Sequence, residues 1–180
     1  DEGRDGKAID PTVTLAETWQ GMQELVEQGL VKYIGISNVP VALLQELLAH
    51  PQTTITPAVN QVELHPYLQQ TPLVRFCQHH GVHVQAYSPL GSPGYKEIHE
   101  PNVLEETVLV ELGLKYKKSP AQVALQWALQ RGTSVVCKAS SKAHLSENLN
   151  MAGWELSEED MKKISSVDRH YRYFRPEDWW

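Results

Sequence analysis

The chemistry in this chain gathers at four points where an apolar run gives way to polar residues. They read Gly35-Ile36-Ser37-Asn38, Asn60-Gln61-Val62-Glu63-Leu64-His65-Pro66, Ala86-Tyr87-Ser88-Pro89-Leu90-Gly91-Ser92 and Val136-Cys137-Lys138-Ala139-Ser140-Ser141. Ser37, Asn38 and Gln61 can each donate and accept hydrogen bonds, which suits a carboxamide. Tyr87 presents a flat ring for stacking, and the Ser/Pro/Gly loop behind it supplies hydroxyls and backbone N–H groups. Lys138 stands before a helix start with hydroxyls, a ready anion site. A planar heterocycle joined to phosphates is the kind of ligand such groups can hold.

Regular elements must bring these groups to their posts. Leu15, Trp19, Met22, Leu25 and Val26 fall at helical spacing, with Thr14 and Glu17 as a capping box and Gly29 as a stop. Residues 31–37 read as a buried strand, and 40–50 as a short helix with Asn38 as its cap. Residues 58–64 form the second strand. Thr71-Pro72 opens a helix that Gly81 ends, following the Pro-early, Gly-late asymmetry. Residues 82–87 are the third strand, 103–116 a helix, and Ser119-Pro120 opens another that stops at Gly132. Residues 134–138 are the fourth strand, with helices near 141–148 and 157–167 and an aromatic tail to Trp180.

Strands alternating with helices imply parallel βα units. Four are present, half the number that closes a (β/α)8 barrel of roughly 250 residues. An open doubly wound sheet is the alternative at this point. No Gly-x-Gly-x-x-Gly turn follows a strand, which leaves a Rossmann site without support.

Composition narrows the classes further. With 180 residues, 41% of them hydrophobic and 21% charged, the chain has material for one sizeable core. A net charge of −6 argues against a general nucleic-acid or anionic-membrane binder. No apolar run approaches the length of a bilayer span. Cys77 and Cys137 lie in different elements without metal-ligand spacing, so a reducing, cytoplasmic compartment is expected.

The four strand ends, together with Gly29-Leu30-Val31-Lys32, Pro57-Ala58-Val59-Asn60-Gln61, Trp127-Ala128-Leu129-Gln130-Arg131-Gly132 and Glu147-Asn148, resemble the aldo-keto reductases over nearly the whole chain. The resemblance implies a (β/α)8 TIM barrel, of which residues 1–180 supply only the last four βα units and the tail. On that reading residues 1–14 are a loop, 15–168 the βα units and 169–180 the tail that shapes the substrate pocket. It implies NADPH as cofactor and reduction of small aldehydes or ketones to alcohols. Ser37, Asn38 and Gln61 would bind the nicotinamide carboxamide, and Tyr87 would stack on its ring. Ser88, Leu90 and Ser92 would line the pyrophosphate. Lys138, Ala139, Ser140, His144, Glu147 and Asn148 would hold the adenosine 2′-phosphate end.

Two departures from the family pattern carry consequences. Cys137-Lys138-Ala139 stands where the family reads Pro-Lys-Ser, and His144 where it has an Arg. A lost hydroxyl and a lost bidentate cation should reduce, without abolishing, the preference for NADPH over NADH. The family's catalytic Asp, Tyr, Lys and His belong to its first four units, and no Asp-x-x-x-x-Tyr with a strand-borne Lys follows here. No residue of this chain is therefore assigned as catalytic, no metal site is expected, and the chain alone should not turn over. An intact protein is expected to be monomeric, whereas a half barrel would associate through its open edges. A non-catalytic nucleotide-binding or regulatory relative is the other class.

Each assignment has a plainer rival. Tyr87 can be a rim aromatic, Gln61 a satisfied core amide, Asn38 a helix cap and Lys138 a solvated lysine. His79, His80 and His83 read as surface histidines near a helix end sooner than as a metal cluster. His65 can line a pocket or pack in the core. Cys137 beside Lys138 reads as a small buried strand residue sooner than as an activated thiol. The aromatic tail can be a substrate lid or a clamp.

Overall fold

The computed structural model describes residues 12–93 and 99–174. Helices α1 (Leu15–Glu27), α2 (Val41–Ala49), α3 (Thr71–His79), α4 (Thr107–Tyr116), α5 (Pro120–Gln130), α6 (Lys142–Leu149) and α7 (Glu158–Ser165) are interleaved with strands β1 (Ile36–Ser37), β2 (Val59–Glu63), β3 (His83–Tyr87) and β4 (Ser134–Val136). The strands form one sheet in the order β1-β2-β3-β4. β3 and β4 are parallel, with Gln85 opposite Ser134 and Tyr87 opposite Val136. The fold is thus α/β with a parallel four-stranded sheet.

The described residues partition into two compact units, one of residues 12–60, 72–83 and 174, the other of residues 61–71, 84–93 and 99–173. In the first, α1 starts at the capping box of Thr14 and Glu17 and ends before Gly29 at φ +70°, as the sequence predicts. Its apolar stripe buries Trp19 against Ile34 and Leu47, with Leu15, Met22, Val26, Ile36 and Ile55 around them. The buried amide of Gln23 ties this core to the loop that precedes β2. Its Nε2 donates to Gln52 O, and its Oε1 accepts from Thr54 N and Ile55 N. Burying such an amide is tolerable only because both its ends are used.

Four sequence expectations need correction. The strand expected over residues 31–37 is confined to Ile36–Ser37, with Leu30 67% and Tyr33 81% exposed. Among the described residues β1 has a neighbour on one side only, and the residues before it form no ladder; Ala58 N bonding to Ile34 O is a contact that does form. The approach to β2 is close at Gly35, where a Cβ would lie 2.3 Å from Val59 Cγ1. Asn38 is not the cap of α2, because the N-cap is Pro40 and no side chain bonds there. Asn38 instead adopts φ +58°.

The helix expected over residues 103–116 is split. A 3-10 turn (Val103–Glu105), capped by Asn102, precedes α4, and Glu106 between them is extended at ψ 124°. The Glu106 carboxylate is claimed by Tyr67 Oη at 2.8 Å and Arg169 Nη2 at 2.7 Å. These tertiary bonds are invisible to helical periodicity. β4 also ends at Val136, two residues short of the expected strand, so Cys137 lies just beyond it.

The second unit buries Val62, Val84 and Ala86 of β2 and β3 and Leu64 just after β2, as well as Leu109, Leu112, Val123, Trp127 and Ile164 from its helices. Gln122, Gln126 and Gln130, spaced by four on α5, act as a ladder for the chain that follows α6. Their Nε2 groups donate to Glu147 O and Asn150 O, to Trp154 O and to Leu156 O, respectively. Among the described residues no helix is long and apolar enough to cross a membrane.

Candidate functional site

In the first unit, the residues after β1 are held by Asn60, a fully buried amide. Its Nδ2 donates to Val39 O at 2.8 Å and its Oδ1 accepts from Val39 N at 3.4 Å, in the manner of a neighbouring strand. This fixes the turn that carries Ser37, which is exposed, and Asn38. Asn38 Oδ1 is buried with no hydrogen-bond partner. An orphaned acceptor costs roughly 1–3 kcal/mol, and at φ +58° the residue is also in a conformation few side chains adopt. An N–H donor such as a carboxamide would satisfy it.

In the second unit, β2, β3 and β4 have a half-buried face. Side chains alternate along a strand, so Gln85 and Tyr87 share a face of β3 and both are half-buried, whereas Val84 and Ala86 on the other face are buried. Gln61 Nε2 donates to Gln85 Oε1 at 2.6 Å, and Gln85 Nε2 donates to Ser134 Oγ at 3.4 Å. A polar row therefore crosses three strands. Gln61 was legible as a candidate; Gln85 and Ser134 were not singled out. Counting back two residues from Tyr87 would have found Gln85.

The loop after β3 is shaped for close approach. Ser88 and Ser92 take φ +49° and +50°, and Ser92 Oγ donates to Ser88 Oγ at 2.7 Å. Gly91 N donates to Ser88 O at 2.9 Å. Gly91, at φ +72°, has no room for a side chain: a Cβ would lie 2.5 Å from Val103 Cγ2 and 2.9 Å from Tyr173 Cε2. Backbone held in such sparsely populated regions costs of order 1–3 kcal/mol per residue and collects at ligand sites. Ser88, Leu90 and Ser92 are half-buried along this loop.

Beyond β4, Lys138 and Ser140 are exposed and Ala139 is half-buried. Ser141 caps α6, its hydroxyl accepting from His144 N at 3.1 Å. No residue of α6 is buried; His144 is exposed, and Glu147 and Asn148 are half-buried. Burial pushes the Cys137 thiol up from its ordinary value, which opposes an activated thiolate.

The remaining candidates make the following contacts within the fold. His65 and Glu63 are both fully buried, with Nε2 3.0 Å from Oε1. Tyr173 N also donates to Glu63 Oε1, at 2.7 Å. Tyr67 O accepts from both Arg169 N and Tyr171 N, so residues 169–173 clamp onto the chain between β2 and α3. Trp179 and Trp180 lie outside the described residues. Tyr67 Oη is occupied by Glu106, and burial followed by that carboxylate raises its pKa to about 12. Tyr116 Oη donates to Asp160 at 2.6 Å. His80 Nδ1 lies 2.9 Å from Phe76 O, within its own helical turn.

The family model for the aldo/keto reductase family matches residues 7–169. The chain is 43% identical over 174 residues to the NADP-dependent D-sorbitol-6-phosphate dehydrogenase of Malus domestica, covering 96% of this chain and 56% of that protein. It is 40% identical to the NADPH-dependent D-xylose reductase of Meyerozyma guilliermondii, over 98% of this chain and 57% of the relative. It is 43% identical to aldo-keto reductase family 1 member A1 of Gallus gallus, over 89% of this chain and 49% of the relative. The chain thus spans about half the length of the curated relatives it matches. The α/β architecture, the strand-end motifs and a match across nearly the whole sequence lead to one conclusion: the chain belongs to the aldo/keto reductase family.

Proposed function

We propose that this chain binds NADP(H) and forms the cofactor side of an oxidoreductase that interconverts aldehydes or ketones and alcohols. In this reading its four βα units are the last four of a (β/α)8 barrel, within a single domain to which all 180 residues contribute. Bound NADPH would supply the hydride. Asn38 Oδ1, buried and unsatisfied, would accept from the nicotinamide carboxamide, alongside Ser37 and Gln61. Tyr87 would cover one face of the ring. Ser88, Leu90 and Ser92 would follow the pyrophosphate, and the segment from Lys138 to Asn148 would receive the adenosine 2′-phosphate. The free thiols of Cys77 and Cys137 fit a reducing, cytoplasmic setting.

The observations that carry this reading are unusual features just after β1 and just after β3. Asn38 has an orphaned acceptor at φ +58°, and the Ser88 and Ser92 loop is held left-handed around a glycine that admits no side chain. The NADP- and NADPH-dependent names of two relatives point to the same cofactor. Tyr33, Tyr67 and Tyr116 are exposed or committed to carboxylates, so none is offered as the proton donor. The chain alone is therefore expected to bind cofactor without reducing a carbonyl.

Calorimetric titration of the chain with NADPH tests the proposal. Saturable binding that weakens at least tenfold in Tyr87→Ala is expected, with no consumption of NADPH when an aldehyde is added. Absence of binding refutes the cofactor reading. Turnover by this chain refutes the assignment of the acid residues elsewhere. A complete protein that binds NADPH but reduces no carbonyl would identify a non-catalytic binding module instead.

A further inference from the structure

We infer that Tyr173 is a positioning residue for the dinucleotide, its ring bracing the Ser88–Ser92 loop in the shape that would receive the pyrophosphate. The inference rests on the NADP(H) reading above. Ser88, Gly91 and Ser92 take φ +49°, +72° and +50°. Backbone in such regions persists only where its surroundings over-determine it. Within the loop, Gly91 N donates to Ser88 O and Ser92 Oγ to Ser88 Oγ. From outside it, Val103 and Tyr173 close on the glycine: a Cβ there would lie 2.9 Å from Tyr173 Cε2 and 3.1 Å from Tyr173 Oη. Tyr173 is itself anchored. Its N donates to Glu63 Oε1 at 2.7 Å, its Oη donates to Pro101 O at 2.6 Å, and its ring lies 5.1 Å from those of His65 and Tyr171. One side chain therefore ties Gly91 to Pro101. Its neighbours extend the tie, because Arg169 bonds to Glu106 and Tyr171 to Glu100. The C-terminal segment would thereby govern the affinity for a cofactor that it is not assigned to touch.

Without the ring, the loop is free to relax out of its left-handed conformation, and the ligand must then restore it on binding. Tyr173→Ala should weaken NADPH binding about fivefold to tenfold, the affinity lost to re-forming one strained turn. Adenosine 2′-monophosphate, which has no pyrophosphate, should bind Tyr173→Ala and the wild-type chain to within about twofold. Tyr173→Phe keeps the ring against Gly91 and gives up only the bond to Pro101, so its NADPH affinity should stay within about threefold of wild type. A role confined to stability predicts that each folded variant binds both ligands as the wild type does.

The experiment is titration of the wild-type chain, Tyr173→Ala and Tyr173→Phe with NADPH and with adenosine 2′-monophosphate, followed by ligand-observed NMR so that millimolar binding registers. It is paired with backbone hydrogen exchange of the wild type with and without NADPH. Coupling between the loop and the C-terminal segment is reciprocal, so a ligand that fixes Gly91 should also slow exchange at the Tyr173 amide. Selective loss of NADPH affinity in the alanine variant, its retention in the phenylalanine variant, and slowed exchange at Tyr173 support the assignment. Equal loss for both ligands, unchanged NADPH affinity in Tyr173→Ala, or a phenylalanine variant no better than alanine overturns it. Should the variants fail to fold, a Tyr173 amide that exchanges equally fast with and without NADPH overturns it independently. A wild-type chain that does not bind NADPH overturns the NADP(H) reading itself, and this inference with it.

Discussion

Glu63 and His65, two residues apart and both fully buried, meet with Oε1 3.0 Å from Nε2. The same oxygen receives the Tyr173 backbone N–H, and the Tyr173 ring lies 5.1 Å from the imidazole. One carboxylate thus joins the end of β2 to a segment more than a hundred residues later in the chain. His65 Nδ1, at the other side of the ring, is buried without a partner. The network holds the C-terminal segment in place.

Removing that carboxylate should release the clamp. Glu63→Ala is expected to lower stability by roughly 1–3 kcal/mol, the cost of leaving buried hydrogen-bonding groups unsatisfied. Residues 169–173 should loosen first, since Tyr173 loses the acceptor of its N–H. Limited trypsin digestion should then cut at Arg169 and Arg172 faster than in the wild type, at concentrations of denaturant too low to unfold the chain. Unchanged digestion and an unchanged thermal midpoint would contradict this role.

Asp160 should make the fold sensitive to acid. Burial pushes its carboxyl up, but hydrogen bonds from Lys115, Tyr116, Ser157 and Lys163 together outweigh this and hold it well below the usual carboxylate range. Its folded value is therefore depressed relative to an unfolded value near ~3.9. The stabilisation is present above that pH and is lost as pH falls through the acid range. Asp160→Asn is expected to cost about 1–3 kcal/mol at pH 7, since the half-exposed Lys115 and Lys163 regain water when the carboxylate is lost. The gap between variant and wild type should narrow as denaturation is measured at successively lower pH. A gap that stays constant down to pH 2 would sink the idea.

Gly91→Ala tests the loop after β3. The new Cβ meets Val103 and Tyr173 well inside contact distance, at a φ that disfavours any side chain. A loss of about 1–3 kcal/mol is expected. On the proposed function, NADPH affinity should fall as well. Urea denaturation gives the first quantity and titration the second; a variant as stable as wild type would show that the loop can shift at little cost.

Local signals in the sequence were reliable, and tertiary ones were not available to it. Thr14 with Glu17, Ser119-Pro120, and the glycines at 29, 81 and 132 lie where their helices begin and end, because these signals act within four residues, whereas Asn38 was misread as a cap of α2. The strand before Ser37 was read too long, since an edge position cannot be inferred from apolar content. The break at Glu106 depends on Tyr67 and Arg169, which are far away in sequence. At the site, Asn38, Gln61, Tyr87, Ser88 and Ser92 stood out through motif and strand-end position. Gln85 did not, because its significance lies in a cross-strand bond. The buried amides Asn60 and Gln23 escaped notice for the same reason: a polar residue in an apolar run declares its partner only after folding.

Cofactor choice offers the last test. The 2′-phosphate of NADPH is a dianion, and the segment proposed to receive it offers Lys138 and the exposed imidazole of His144. A guanidinium at that position would add a permanent charge and two parallel donors. His144→Arg is therefore expected to improve NADPH binding by roughly fivefold to tenfold, less than a buried contact would give because the site is solvated. Binding of NADH, which lacks the phosphate, should change less than twofold. Ala139→Ser should add a smaller gain in the same direction, and Lys138→Met should reduce NADPH affinity while leaving NADH largely unaffected. The gains should shrink at high salt, since exposed charges are screened over about 10 Å at 0.1 M. Titrating each variant with both dinucleotides at two salt concentrations gives the answer. Equal changes for NADPH and NADH would mean that the segment from Lys138 to Asn148 does not meet the 2′-phosphate.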